Sequence, residues 1–261
     1  MDFLLIGIVA FTASCLTFFS GFGLGTLLLP AFALFLTAPA AVAATAVVHL
    51  LNGLFKGGLI YKSAHWPTVL KFGLPAVPGA ILGAFILTLL GEQTAFRWSA
   101  MGFEFTPSTA GVLIGAVLIV FAVLEMTPWF QNLKAPPHLV PVGGAATGFF
   151  GGLTGQQGAL RSMFLLRTGL PAKQFIATGV LVSIFIDLAR VPTYFATYAA
   201  SSAELGERQM WLIAFGALAA FAGAWLGSRY LEKATISVVR GMVAGLMLII
   251  GGALVLGLIG S

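Results

Sequence analysis

Long uncharged stretches occupy most of the chain, and short segments with Pro and Gly separate them. A helix that crosses the hydrocarbon core of a bilayer needs about 20 mostly apolar residues. Because Pro and Gly interrupt the apolar pattern repeatedly, the sequence predicts a series of separate helices. The predicted segments are 3–19, 26–36, 40–61, 69–90, 108–126, 139–150, 159–167, 172–191, 209–230 and 237–258.

Two of these segments are too short to cross a membrane. Residues 26–36 would rise about 16 Å and residues 159–167 about 13 Å. Each follows a glycine-rich stretch, which runs from Ser20 to Gly25 in the first case and from Gly151 to Gly158 in the second. We therefore predict two broken-helix or re-entrant hairpins, 3–36 and 139–167.

The two halves of the chain resemble each other weakly. The matches are Gly25, Ala44 and Thr45 with Gly158, Ala177 and Thr178 at an offset of 133, and Gly79–Gly83 with Gly223–Gly227 at an offset of 144. The order of elements is also shared: glycine-rich break, short helix, Pro turn and long helices. The sequence therefore predicts repeat 1 at 1–126, an inter-repeat loop at 127–138 and repeat 2 at 139–261.

Parity sets the relative orientation of these repeats. A hairpin returns to its starting side, so a hairpin plus three crossings is an odd number of crossings. Two such halves in series must be inverted relative to each other. The predicted fold is an all-α polytopic membrane protein of two inverted repeats, each a broken-helix or re-entrant hairpin plus three transmembrane helices.

Composition excludes several classes of protein. Of the 261 residues, 59 % are apolar and 8 % charged, whereas a soluble domain has about 25 % charged residues. Mean hydropathy is +1.03. This excludes an ordinary cytosolic enzyme, a nucleic-acid binder and a disordered chain. The lipid bilayer is the expected partner, and the composition is compatible with a homo-oligomer.

Basic residues indicate the topology, because cytoplasmic loops collect Lys and Arg. With the N-terminus outside, ten of the thirteen basic residues fall on or near the cytoplasmic side. These are Lys56, Lys62, Lys71, Lys134, Arg161, Arg167, Lys173, Arg229, Lys233 and Arg240. The N-terminus has no Lys or Arg ahead of its apolar run, so 3–19 is predicted to be retained structure rather than a cleaved signal peptide.

Broken helices near the middle of a membrane are typical of transporter binding sites. Helix N-termini favour anions, and the segments around both breaks lack carboxylates. A small anion is therefore the predicted substrate, with no metal, cofactor or catalytic motif expected. The candidate substrate-binding residues are Ser20, Gly21, Gly23, Gly25, Thr26, Thr45, His49, Asn52, Thr154, Gly155, Gln156, Gln157, Gly158, Arg161 and Thr178.

Several glycines and polar residues have more than one interpretation. Gly79, Gly83, Gly223 and Gly227 are predicted to serve close helix packing, whereas Gly152, like the other clustered glycines, is predicted at a hairpin tip. His49 and Asn52, three residues apart, either line the pathway or bond a neighbouring helix.

The charged residues within apolar segments also have alternatives. Arg161 either neutralises the substrate or extends toward the cytoplasm. Lys56 is predicted to extend to the inner helix end. Asp187 and Arg190, at spacing i, i+3, are predicted to form an ion pair near the outer face.

The motif from Gly21 to Pro30, followed by Ala44-Thr45, resembles the sulfite exporter TauE/SafE family. The second copy, from Gly151 through Leu170-Pro171 to Ala177-Thr178, is similar to that family's duplicated domain. The resemblance implies a bacterial inner-membrane carrier of sulfite, sulfoacetate or a related sulfur-containing anion, with export coupled to the proton-motive force. Gln156 and Gln157 stand where the family has glycines.

Three hypotheses about function follow. The first is a secondary transporter that exports a small sulfur-containing anion by alternating access, with the N-terminus periplasmic. The second is an uptake carrier for a sulfur compound or small carboxylate on the same fold. The third is a non-transporting integral membrane enzyme or assembly subunit.

Overall fold

The computed structural model describes residues 1–16, 24–91, 93–133, 136–200, 206–230 and 236–260. This part of the chain is helical apart from its connections and one antiparallel ribbon. The elements are α1 (Asp2–Leu16), α2 (Leu24–Ala33), α3 (Ala38–Ile60), α4 (Trp66–Leu90), β1 (Trp98–Ala100), β2 (Phe103–Phe105), α5 (Thr109–Met126), α6 (Pro128–Asn132), α7 (Val140–Thr154), α8 (Gly158–Leu165), α9 (Ala172–Ala200), α10 (Glu207–Tyr230) and α11 (Ile236–Val255).

Every predicted segment coincides with a helix, although 17–19 lie outside the described residues. Within the described residues, five helices are long and apolar enough to cross a membrane: α3, α4, α5, α9 and α10. The helical, polytopic architecture is therefore confirmed. Helix α9 extends past the predicted end at residue 191, because Pro192 is accommodated inside it. The ribbon and α6 were not predicted.

Helix starts follow the expected local signals. Proline occupies the first turn of α3, α4, α6 and α7, where its missing N–H costs no intrahelical hydrogen bond. The Ser108 hydroxyl accepts a hydrogen bond from Gly111 N at 3.1 Å and so caps α5.

The second break is shorter than predicted. Helix α7 continues to Thr154, and Gly155 ends it in the left-handed conformation, with φ of 80°. Its N–H donates to Gly151 O at 3.0 Å. Only residues 155–157 separate α7 from α8, which at eight residues is about 12 Å long.

Glycines bring two pairs of helices into backbone contact. Helix α4 packs against α7, and α10 packs against α1. A Cβ on Gly79 or Gly83 would collide with the backbone of α7, and one on Gly223 or Gly227 with the backbone of α1. The predicted packing role of these four glycines is confirmed.

Helix α7 contributes glycines to the same contact from its own side. A Cβ on Gly148 would collide with Ala76 O, and one on Gly152 with Ala80 O. The hairpin-tip role predicted for Gly152 is therefore wrong. A glycine is needed at position 152 because α7 approaches α4 closely there. Sequence composition does not distinguish this packing role from a role at a hairpin tip.

Helix α9 packs against both α3 and α4, while α10 packs against α3 in turn. The short helices α2 and α8 lie against α3 and against α7 and α9, respectively. This arrangement leaves the second break beside α9, and α2 reaches the break through Thr26.

Candidate functional site

The beginning of α2 meets the break between α7 and α8. Thr26 Oγ1 donates a hydrogen bond to Gln156 Oε1 at 3.3 Å. A Cβ on Gly25 would lie 3.7 Å from Gly155 O and 3.8 Å from Thr45 Cγ2. Residues from both glycine-rich segments and from α3 are thus close together. The two glycine-rich segments are separated by about half the chain.

A buried carboxylate lies beside this junction. Asp187 of α9 is fully buried, and its Oδ1 accepts hydrogen bonds from Gln157 Nε2 at 2.9 Å and Arg190 Nε at 2.8 Å. Its Oδ2 lies 2.6 Å from Nδ1 of His49 on α3. We call His49, Gln157, Asp187 and Arg190 the α9 cluster.

The α9 cluster also holds the end of α7. Arg190 Nη1 donates to Gly151 O at 2.8 Å, and the Tyr194 hydroxyl donates to Gly152 O. The last carbonyls of a helix lack intrahelical partners and carry partial negative charge. The cation and the hydroxyl therefore stabilise the helix end that leads into the break.

Several buried polar atoms at the junction have no hydrogen-bond partner within the described chain. Three are donors: Thr45 Oγ1, Gln156 Nε2 and Arg190 Nη2. The acceptor atom Gln157 Oε1 also has no hydrogen-bond partner within the described chain. A buried polar group without a partner is costly, and donors of this kind suit an oxyanion.

Arg161 lies inside the protein, one turn past the break. Its side chain is 6 % exposed, and Nη1 donates to Ser183 Oγ on α9. Of the two alternatives for Arg161, extension toward the cytoplasm is therefore wrong. The guanidinium is held between α8 and α9, and its partner Ser183 lies one helical turn before Asp187.

A second buried polar group, the α3 cluster, consists of Ser14, Asn52 and Lys56. Ser14 Oγ lies 3.2 Å from the Asn52 amide. With the amide oriented to satisfy its neighbours, Asn52 Oδ1 accepts from Lys56 Nζ at 3.3 Å and Nδ2 donates to Ala220 O at 3.3 Å.

Lys56 is only 6 % exposed. The prediction that it extends to the inner helix end is therefore wrong, because the sequence does not reveal the polar partner at Asn52. Asn52 contacts α1 and α10, so it bonds neighbouring helices, whereas His49 bonds α9 and lies beside Gly25 as well.

The remaining predicted residues divide into three groups. Ser20, Gly21 and Gly23 lie outside the described residues. Thr154 Oγ1 donates within its own helix to Phe150 O at 3.1 Å, and Gly158 is the first residue of α8. Thr178 Oγ1 accepts from His65 N at 3.0 Å, at the start of α4 and away from the break.

Sequence reasoning did not include Asp187, Arg190 or Tyr194 among the site residues. The predicted i, i+3 ion pair between Asp187 and Arg190 is present, but both side chains contact the second break directly. The available signal was an acid and a base inside an apolar helix, which marks a functional site by default.

The described residues contain no group of three or more His, Cys, Asp and Glu side chains that could hold a metal ion. The arrangement instead combines hydrogen-bond donors, two buried guanidiniums and one carboxylate at a helix break. The sequence profile of the sulfite exporter TauE/SafE family matches residues 6–254. The chain belongs to this family.

Membership in the TauE/SafE family makes the chain a multi-pass membrane protein of a transporter family. The match spans both halves, so it includes the breaks, the α9 cluster and the α3 cluster. No curated protein and no solved structure matches the chain.

Proposed function

We propose that this TauE/SafE protein exports a small sulfur-containing anion, such as sulfite, sulfoacetate or a related organosulfonate, by alternating access. The anion binds where the two glycine-rich segments meet. The observation that carries this proposal is the contact of Thr26 with Gln156, together with the unpaired buried donors around it. Irregular backbone inside a membrane is tolerated only within protein or beside a polar cavity.

Charge at the junction favours an anion over a cation. Arg161 and Arg190 are both buried on elements that adjoin the second break, so two guanidiniums and the carboxylate of Asp187 lie on this side of the break. The N-terminus of α8 adds partial positive charge on the same side of the break. The donors Thr45 Oγ1, Gln156 Nε2 and Arg190 Nη2 would complete the coordination of a sulfonate or sulfite oxygen.

The equivalent glycine contacts support two inverted repeats as the framework of this transport. Gly79 and Gly83 of the first half lie against Ala145 and Phe149, while their counterparts Gly223 and Gly227 lie against Phe11 and Cys15. Each half therefore packs a long helix on the hairpin of the other half. Alternating access in inverted-repeat transporters moves one such bundle against the other.

We place the protein in the bacterial inner membrane with a periplasmic N-terminus. Lys56, Arg161 and Arg190 are buried and carry no topological information. Without them, the excess of basic residues on the cytoplasmic side persists. In this orientation a membrane potential that is negative inside assists anion export by about 2.3 kcal/mol per charge per 100 mV.

Flux in proteoliposomes tests the proposal directly. The purified protein is reconstituted, and counterflow is measured for sulfite, sulfoacetate, taurine and lactate. We expect exchange of sulfite or sulfoacetate and little exchange of lactate. Gln156→Ala and Gln157→Ala should each reduce flux at least tenfold, whereas Gln93→Ala, at an exposed position in the α4–β1 connection, should leave it unchanged.

A folded, reconstituted protein that exchanges none of these anions would exclude the proposal. Wild-type flux in both glutamine variants would place the site elsewhere. Lactate exchange with no sulfur anion exchanged would favour the small-carboxylate carrier instead.

A further inference from the structure

The α9 cluster contains a histidine with access to the junction. The His49 side chain is 22 % exposed, whereas Asp187 is fully buried. Asp187 already accepts from Arg190 and Gln157. Because Asp187 Oδ2 faces His49 Nδ1, Nδ1–H donates to the carboxylate and the lone pair for an added proton is on Nε2.

The ring edge that carries Nε2 faces the first glycine-rich segment. Cδ2, the ring atom bonded to Nε2, lies 3.7 Å from the position that a Cβ would occupy on Gly25. On its other edge the ring contacts Asp187, which holds Gln157 of the second break. His49 therefore connects both breaks.

The other titratable side chains near Asp187 come from α9 and α8. Helix α9 supplies Arg190, with Tyr194 one turn on, and α8 supplies Arg161. The α7 sequence has no ionisable side chain, Lys71 of α4 is exposed, and Lys56 of α3 faces Asn52. Of the side chains that contact Asp187, the imidazole is the type that ordinarily changes charge near physiological pH.

We propose that His49, held by Asp187, is a proton-binding site whose protonation strengthens anion binding at the junction. This inference rests on the proposed function. When His49 is neutral, Asp187 and Arg190 cancel each other; when it is protonated, the three residues carry one net positive charge. An anion at the adjoining junction is then attracted more strongly, and by linkage a bound anion increases proton uptake.

Proton uptake by the wild-type protein gives the first test. In weakly buffered detergent solution with a pH indicator dye, sulfoacetate is added, because its sulfonate and carboxylate are both ionised near neutral pH. We expect up to one proton taken up per anion bound, and no uptake with the protein omitted. Anion binding without proton uptake across pH 5.5 to 8 would overturn the proposal, whatever the variants do.

The His49→Gln variant provides the second test, since a glutamine amide can still donate to Asp187 but cannot carry the proton. In proteoliposomes we expect sulfoacetate counterflow by the wild type to increase at least threefold as the pH falls from 8 to 5.5, and we expect this pH dependence to be lost in His49→Gln. His138→Gln, at an exposed position, is the matched control and should behave as wild type.

The outcomes separate this inference from the proposed function. A wild-type protein without any anion exchange would contradict the transport function itself. Exchange by the wild type with the same pH dependence in His49→Gln would leave anion transport standing and would exclude His49 as the proton site.

Discussion

The α9 cluster and the α3 cluster are both buried and polar, yet they are built differently. In the α9 cluster, a carboxylate is surrounded by donors from three elements, and a cation compensates it. In the α3 cluster, the neutral side chain of Asn52 contacts both Ser14 and Lys56. At the offset of 133 that aligns the two halves, Asp187 corresponds to Leu54 and Lys56 to Ala189.

The two halves are therefore alike in their packing and different in their polar chemistry. The matched glycines make similar backbone contacts in the two halves, whereas Asp187 and Lys56 align with apolar residues. Packing between helices requires the same small residues in both halves. The proposed anion site requires only one set of polar groups, to which both halves contribute.

The largest effect is expected from removing the carboxylate of the α9 cluster. Asp187→Ala leaves Arg190 buried without its partner and removes the acceptor for Gln157 and His49. Breaking a buried pair in this way costs about 3–5 kcal/mol. The measurement is the free energy of unfolding in detergent by denaturant titration.

Asp187→Asn serves as the control for this change, because its amide oxygen can still accept from Arg190. A smaller loss is expected than for Asp187→Ala. An equal loss in both variants would mean that the negative charge of Asp187, rather than its shape or its accepting oxygen, stabilises the cluster.

Equivalent glycines in the two halves should give the next largest effects. Gly83→Ala drives a Cβ into the backbone of α7, and Gly227→Ala drives one into α1. Overpacking costs about 1–3 kcal/mol, and we expect losses in that range for both variants by the same measurement. A loss in one variant only would show that the two contacts are not energetically equivalent.

The helices were predictable because their apolar stretches are long and their ends carry Pro, Ser or Gly. The limits of the second break were not predictable, since Gly151 and Gly152 lie in a glycine-rich stretch typical of a break but are helical. The burial of Lys56 and Arg161 was also not predictable from the sequence. It depends on their polar partners Asn52 and Ser183, and only the fold shows that each cation contacts its partner.

A moderate effect is expected in the α3 cluster. Asn52→Ala removes the amide that contacts Ser14, Lys56 and the Ala220 carbonyl. Loss of a buried hydrogen-bonding group costs about 1–3 kcal/mol, so the loss should be smaller than for Asp187→Ala. If Asn52→Ala were the more destabilising variant, the α3 cluster rather than the α9 cluster would be the main polar support of the fold.

The smallest effect should come from a glycine at the junction itself. A Cβ on Gly25 would meet Gly155 O, His49 Cδ2 and Thr45 Cγ2 at ordinary contact distances of 3.7 to 3.8 Å. Because alanine has the higher helix propensity, Gly25→Ala should leave the free energy of unfolding unchanged or raise it by up to about 1 kcal/mol. Gly152→Ala is the matched control: it has the same gain in propensity, but its Cβ collides with Ala80 O, so it should lose stability. Equal losses in the two variants would mean that α2 packs on the second break as tightly as α7 packs on α4, which would leave no room for an anion between the breaks.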